Sequence, residues 1–427
     1  MYNCYLNKFN YSAVQQLSME PKNQLAFYGG TKTVNKHFPW PIYDEAEVNA
    51  VTEIVRGGSW ANPNCDGLVV EFEKEFAAYC GSKYAITCTN GSVAIRLALM
   101  ACGVKPGDEV IVPPYSFIAT ASVVIEVNCI PVFVDIDPET YNLNPAEAEK
   151  AITPRTKAII PVHFAGQACN MDAIMAIANT HNLKVIEDAC HAPGGEYKGK
   201  KLGSIGHAGC FSFQSSKNLN SGEGGIVVTD DENLSNMMAS LRNVGRVKGG
   251  QWYEHHYLGC NYRITQLQTA ILSIQLKRLD EQTRRRNENG LYLNSLLQSI
   301  PGVKPLTRGH GETLHTYHIY IFKYDKAYFN NISKSEFAAL LAAEGVPSFM
   351  GYPEPLYKQP VFQQKNFLCY AIPESVDYTE VCCPVAEQAC YAEAVWILQH
   401  AMLGTKEDMD NFAEAIRKIQ RVAVSTP

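Results

Sequence analysis

The chain reads as an α/β protein: a mainly parallel sheet between helices, followed by a smaller C-terminal α+β part. Two observations predict this. Short, nearly continuous apolar runs recur between stretches of helical periodicity, at Tyr84–Cys88, Glu109–Pro113, Pro131–Asp135, Ala158–Val162 and Lys184–Asp188. Runs of that length between helices are strands buried on both faces, which is what a parallel sheet requires. Past the helix predicted at Thr265–Leu279, a charged stretch, Asp280–Asn289, leads into local mixing of strand and helix patterns. This reads as a bridge to a second unit.

With 427 residues the chain is long enough for one large and one smaller domain. The boundaries expected are an arm at 1–24, a large domain at 25–280 and a small one at 281–427. A hydrophobic content of 46% with 19% charged residues describes an ordinary globule. The formal net charge of −6 argues against a general nucleic-acid binder. The run Arg284-Arg285-Arg286 reads as a solvated helix face. None of the 14 cysteines falls in a metal-ligand spacing, and Cys88, Cys129 and Cys210 lie in apolar runs where thiols act as small hydrophobes. A reduced, cytoplasmic protein is expected. Neither a signal peptide nor a membrane-crossing run is apparent, so no membrane partner is expected.

In chain order, Glu45–Arg56 has helical periodicity, with Val48, Val51, Ile54 and Val55 on one face. A loop follows at Ser59–Gly67, then a helix at Phe72–Tyr79. The strand Tyr84–Cys88 runs into Thr89-Asn90-Gly91-Ser92 and a helix through Met100. Strand, small polar turn and helix start together can hold an anion, because free N–H groups and the helix dipole converge there. The same pattern also fits a capped helix that holds nothing. The strand at Glu109 ends in Pro113-Pro114-Tyr115-Ser116-Phe117, ahead of a helix at Ile118–Ile125. Residues 171–182 supply the next helix.

Asp188 closes the strand Lys184–Asp188, at the strand end where α/β proteins place ligands. A buried carboxylate is costly unless it faces a cation, although an aspartate here also suits a helix N-cap. The last stretch is Cys210–Thr229, CFSFQSSKNLNSGEGGIVVT. Lys217 lies between a short apolar strand and the glycine-rich turn Ser221–Gly225. An amine on a tight loop between buried strands is what imine chemistry with a carbonyl needs. Further on, helices are predicted at Asn287–Ser299, Ser335–Glu344 and Lys406–Gln420, and a strand at Tyr317–Phe322. His318 and Tyr352 are candidate pocket residues. Val361–Thr379 carries no legible signal.

Ser212-Phe213-Gln214-x-x-Lys217-x-Leu219-x-x-Gly222-Glu223-Gly224-Gly225 resembles the lysine signature of the DegT/DnrJ/EryC1/StrS family of aminotransferases. Other motifs agree in chain order, from about Gly29 to His400. The resemblance implies fold-type I architecture with a seven-stranded sheet, and pyridoxal 5'-phosphate as cofactor. It implies that Lys217 carries the cofactor and moves the proton. Asp188, 29 residues earlier, would hold the ring nitrogen protonated, and Phe117 would stack on the ring. Gly91, Ser92 and Ser212 would hold the phosphate, with His191 near the cofactor hydroxyl.

Leu258–Arg263 resembles the family's Gly-x-Asn-Tyr-Arg motif. There Asn261 reaches the phosphate of a neighbouring subunit, which implies a homodimer with shared sites. Trp60 lies on a loop that lines the substrate site in the family. Glutamine at Gln214, where many members have histidine, resembles two branches: the scyllo-inosose aminotransferases and 3-amino-5-hydroxybenzoate synthase. The expected activity is transfer of nitrogen from glutamine or glutamate to a keto-sugar or keto-cyclitol. A dehydratase or aromatising synthase of the same fold and a non-catalytic regulatory relative are the alternatives. Intact Lys217, Asp188 and Asn261 speak against the last.

Overall fold

The computed structural model describes residues 24–62 and 65–425. The expected N-terminal arm lies outside the described residues, save Gln24.

Helix α1 (Glu45–Gly57) opens on a capping box in which Asp44 and Glu47 satisfy each other's backbone N–H. Its predicted apolar face is not in this chain's core. Val48 and Val55 are exposed, and α1 buries Glu47 instead. The Glu47 carboxylate accepts hydrogen bonds from Gln275 and Arg278. After α2 (Leu68–Cys80), β1 (Tyr84–Cys88) leads into α3 (Gly91–Ala101). The core units that follow are β2 (Glu109–Val112), α4 (Ala119–Glu126), β3 (Ile130–Phe133), β4 (Thr156–Ile159), α5 (Met171–His181) and β5 (Lys184–Asp188). Here β4 begins two residues before the expected run, and Val162 makes only an isolated bridge to Asp188.

A short hairpin, β6 (Glu196–Tyr197) and β7 (Lys200–Lys201), precedes β8 (Ala208–Ser212) and β9 (Gly225–Thr229). Seven strands form one sheet in the order β1-β9-β8-β5-β4-β2-β3. All run parallel except β9, which opposes both β1 and β8. The parallel strands therefore end on one edge of the sheet. Asp188, Ser212, Cys88 and Val112 lie there together, where an open α/β sheet binds its ligands. Aliphatic and aromatic side chains fill both faces, Ile186, Val227 and Leu97 on one and Phe72, Phe76 and Phe211 on the other.

After α6 (Glu232–Arg242), one helix, α7 (Gln266–Leu297), runs for 32 residues. This is roughly 48 Å. The break expected within Asp280–Asn289 is absent. No proline interrupts it, and its polar residues find partners: Asp280 accepts from Tyr79 Oη at 2.7 Å, and Asn289 donates to the Met402 and Gly404 carbonyls. Gly290, inside the helix, allows close approach. A Cβ there would lie 2.3 Å from the Tyr317 ring. The triple-arginine run is also corrected. Arg284 and Arg285 are exposed, but Arg286 turns inward and is fully buried.

Beyond α7 come β10 (Val303–Pro305), β11 (Glu312–Leu314), β12 (Ile319–Tyr324), α8 (Lys334–Ala343), β13 (Ser348–Phe349), β14 (Ala394–Leu398) and α9 (Lys406–Val424). A four-stranded sheet runs β10-β12-β14-β13, with all its pairs antiparallel. It packs on α8 and α9 through Phe322, Phe337, Phe412 and Ile416. Strand β11 joins the β6–β7 hairpin. The thirteen cysteines among the described residues are free thiols, and none of the described helices is long and apolar enough to cross a membrane.

Candidate active site

The sheet edge delivers Asp188 first. Its main chain is locked on both sides: its N–H donates to Pro161 O, and its carbonyl accepts from His163 N–H. The carboxylate is not a helix cap. Oδ2 accepts from Thr120 Oγ1 at 2.8 Å, and Oδ1 accepts from the Cys190 N–H at 3.2 Å. Thr120 in turn exchanges a 2.8 Å hydrogen bond with Ser116. Directly behind, Glu187 is fully buried. It accepts from the Gly203, Ile205 and Gly206 N–H groups and is bonded to His163 Nε2 at 2.8 Å. The Cys169 N–H occupies His163 Nδ1, so the His163 proton is on Nε2 and is donated to Glu187.

Lys217 follows β8 on a loop held by its own backbone, with Ser221 N–H bonded to Phe213 O and Lys217 N–H to Gln214 O. Burial pushes the Lys217 ammonium below the usual lysine range, against the opposing effects of Cys190 and Asp188. Lys217 forms no ion pair with Asp188, whose carboxylate nevertheless acts on the lysine's charge.

At the end of β1 the chain turns tightly into α3. Asn90 caps α3, its side chain accepting from Val93 N–H and its carbonyl from Ala94 N–H. This leaves the N–H groups of Gly91 and Ser92 at the open helix end. A Cβ on Gly91 would lie 2.7 Å from Ser212 Cβ and 3.0 Å from Cys190 Sγ. Gly91, Ser212 and Cys190 thus meet around one point, with room that only glycine leaves.

Two histidines stand close enough to Lys217 to feel its charge. The rings of His191 and His318 are 4.4 Å apart. His191 Nδ1 accepts from Ala165 N–H at 3.3 Å, which puts its own proton on Nε2. Asn218 donates through Nδ2 to Thr316 O, so its Oδ1 faces His318 and the His318 proton is on Nδ1. Burial holds both imidazoles well below their ordinary pKa, and the Lys217 charge adds to this. They are neutral rings at neutral pH.

Tyr352 joins through an aromatic wall. Its ring lies 5.5 Å from Tyr115 and 4.8 Å from Trp396, and Trp396 Nε1 donates to Tyr115 Oη. Phe164 links this wall to His191 at 5.6 Å.

Of the residues singled out in the sequence, Gly91, Ser212, Asp188, His191, Lys217, His318 and Tyr352 therefore converge, and Ser92 stands at the same helix end. Phe117 precedes Thr120 by less than one turn, and its ring is 57% exposed. Trp60 and Asn261 are exposed and do not touch the cluster within one chain. Trp60 Nε1 donates to Val55 O, and Asn261 Oδ1 accepts from Arg263 N–H. Sequence reasoning missed Thr120, Cys190 and Asn218. For Cys190 the signal was present, two residues after Asp188 and one before His191. For the others there was none, because their partners lie far away in sequence.

Fold and site together define a fold-type I aminotransferase of the pyridoxal-phosphate-dependent class. The chain belongs to the DegT/DnrJ/EryC1/StrS aminotransferase family, whose sequence pattern it matches over residues 41–417. It is 35% identical over 410 residues to a putative L-glutamine:3-amino-2,3-dideoxy-scyllo-inosose aminotransferase of Streptoalloteichus tenebrarius, covering 93% of this chain and 98% of that protein. It is 37% identical over 394 residues to the spore coat polysaccharide biosynthesis protein SpsC of Bacillus subtilis, covering 90% and 96% respectively. Among solved structures, that of 3-amino-5-hydroxybenzoic acid synthase superposes with a TM-score of 0.82 at 32% identity, covering 90% of this chain and 98% of the other.

Proposed function

We propose that the protein binds pyridoxal 5'-phosphate and moves an amino group from L-glutamine, or L-glutamate, to a keto-cyclitol or keto-sugar in amino-sugar or aminocyclitol biosynthesis. The carrying observation is the gathering of Lys217, Asp188, the Gly91–Ser212 contact and the His191–His318 pair around the end of the sheet. The similarity to the putative L-glutamine:3-amino-2,3-dideoxy-scyllo-inosose aminotransferase supports glutamine as donor and a cyclitol ketone as acceptor.

The residues fit the group. The phosphate would be held by the Gly91 and Ser92 N–H groups and the Ser212 hydroxyl, at a helix N-terminus that favours negative charge. The Asp188 carboxylate, aimed by Thr120 and Cys190, would hold a proton on the ring nitrogen. His191 would offer its Nε2–H to the ring hydroxyl, and Phe117 its exposed ring as a stacking face. When bound, the cofactor supplies an aldehyde that takes up amines and a ring that accepts an electron pair. Lys217 would carry the aldehyde between turnovers and, once displaced, take the proton from the donor's α-carbon and return it. Its depressed pKa serves that task, because a neutral amine is a base.

We further propose a homodimer in which Asn261 reaches the partner's phosphate and Trp60 lines the substrate site. Exposed apolar residues support this. Val48, Val55, Trp252, Tyr253 and Leu258 are all uncovered in the single chain, Leu258 at 92%. The division at residue 280 into a large and a small domain remains part of this reading, with α7 as the shared strut. The free thiols suit the reducing cytoplasm.

The test is a half-reaction. Protein loaded with pyridoxal phosphate is mixed with L-glutamine and the visible absorbance is followed, then cyclic ketones are added one at a time. Bleaching by glutamine and recovery with a keto-cyclitol or keto-sugar is the expected result. No bleaching by any amino acid would refute the assignment. The similarity to 3-amino-5-hydroxybenzoic acid synthase favours one second reading, an aromatising dehydratase. That activity would produce an aromatic ultraviolet band without consuming an amino donor.

A further inference from the structure

A cleft that the chemistry above does not use opens at one end of the four-stranded sheet. Its volume is about 610 Å³, within the range of small-molecule sites, and it lies where β10, β12 and the loop before α8 meet. Four lysines line it, Lys304, Lys323, Lys326 and Lys334, against two carboxylates, Asp325 and Glu393. Two of the lysines are already paired, Lys304 with Glu139 at 2.8 Å and Lys323 with Glu393 at 3.3 Å. Asp325 is committed to the main chain, where it accepts from the Ala327 N–H. Lys326 and Lys334 have no ion pair among the described residues.

Lys334 is only 7% exposed, yet its ammonium meets nothing but main-chain carbonyls, donating to Ala389 O at 3.3 Å and to Cys390 O. An ammonium has three N–H donors, so one is left over on a side chain that lines the cleft. A buried cation without a counter-ion is expensive, and burial brings the Lys334 pKa down to about 8. Lys334 also opens α8, so the positive end of that helix adds to the same field. Lys326 stands exposed on the loop after β12. None of the residues lining the cleft belongs to the reaction centre. Glu393 accepts from Tyr141 Oη at 2.6 Å, and the path of contacts from there to Tyr352 runs through the rings of Tyr141 and Tyr115.

We infer that this cleft is a second, non-catalytic site for a phosphate-bearing small molecule, whose phosphate pairs with Lys334 and Lys326. A phosphate group carries about two negative charges at neutral pH, which matches two ammonium groups without counter-ions. Lysine meets phosphate as a point charge and needs no fixed fork geometry. The cleft is larger than a phosphate ion, which leaves room for a sugar-sized substituent against Gln388 and Tyr391.

The experiment starts from protein loaded with pyridoxal phosphate and reduced with borohydride, so that any further phosphate bound is additional to the cofactor's. Inorganic phosphate, glucose 6-phosphate and glucose are titrated into it by calorimetry at constant ionic strength. Wild-type protein should bind one phosphate group per chain and ignore glucose. Tighter binding of glucose 6-phosphate identifies a phosphorylated metabolite as the ligand, and equal binding identifies free phosphate. Lys334→Met should weaken the affinity roughly 10- to 100-fold, as expected for lost hydrogen bonds between charged groups. Lys326→Gln changes an exposed side chain, so it tests the site even if Lys334→Met does not fold, and should weaken the affinity about threefold or more. Lys304→Gln, at a lysine already held by Glu139, should stay within about twofold of wild type. No saturable phosphate binding to wild-type protein, or unchanged affinity in Lys326→Gln, overturns the inference and leaves the aminotransferase reading intact. A chain that took up no cofactor would end that reading, and the same titration of the unloaded chain would still decide this one.

Discussion

Thr120 donates its hydroxyl hydrogen to Asp188 Oδ2 at 2.8 Å, from the first turn of a helix 68 residues earlier in the chain. Through this bond α4 aims the carboxylate at the end of β5. Thr120→Val keeps the shape and removes the donor. The loss of one hydrogen bond to a buried carboxylate is worth about 1–2 kcal/mol, so kcat/KM in the donor half-reaction should fall roughly 5- to 30-fold. Steady-state rates at fixed ketone would check this, and an unchanged rate would mean that Cys190 N–H alone orients Asp188.

Lys217→Ala should abolish transamination without loss of fold, because the lysine lies on a loop held by backbone bonds rather than by its side chain. Borohydride reduction of the loaded wild-type protein, followed by peptide mass spectrometry, should place the pyridoxyl group on residue 217. An adduct elsewhere would move the reactive centre away from this loop.

Gly91→Ala should weaken cofactor binding by pushing Ser212 and Cys190 from their places beside the helix end. The new methyl would come within 2.7 Å of Ser212 and 3.0 Å of Cys190, in the cradle that the phosphate would occupy. Spectroscopic titration with pyridoxal phosphate should show affinity reduced about tenfold or more, the scale of a few lost charge-assisted contacts. Equal affinity would show that the phosphate lies elsewhere.

Glu187 should govern acid stability. Burial alone would raise its pKa from the ordinary 4.5, but the hydrogen bonds from His163 and from the Gly206 and Gly203 N–H groups outweigh this and leave it depressed. A depressed carboxylate contributes stability that is present above its unfolded value and lost as pH falls through its folded value. Glu187→Gln breaks a buried network, at a cost of about 3–5 kcal/mol near neutral pH. Melting curves from pH 7 downward should therefore show a lower Tm for the variant, with the gap narrowing below about pH 4.5. A constant gap across that range would assign the stabilisation to packing.

Much of this protein could be read directly from the chain. Unbroken apolar runs identify sheet strands because burial on both faces leaves no polar position, and local turn chemistry marks Asn90–Ser92 and Lys217. The lysine signature brought the family with it. Several features could not be read, each for the same physical reason. The apolar stripe of α1 looks like core, yet tertiary packing turns Glu47 inward to meet Gln275 and Arg278. The charged stretch after Leu279 looks like a linker, yet partners up to 201 residues away keep it helical. Arg286 looks solvated beside two exposed arginines, and only the arrival of Gln399 and Trp40 shows it buried. Periodicity and turn residues are local properties that sequence determines by itself. Which charge is buried, and against what, depends on contacts between distant segments, and only the folded chain decides that.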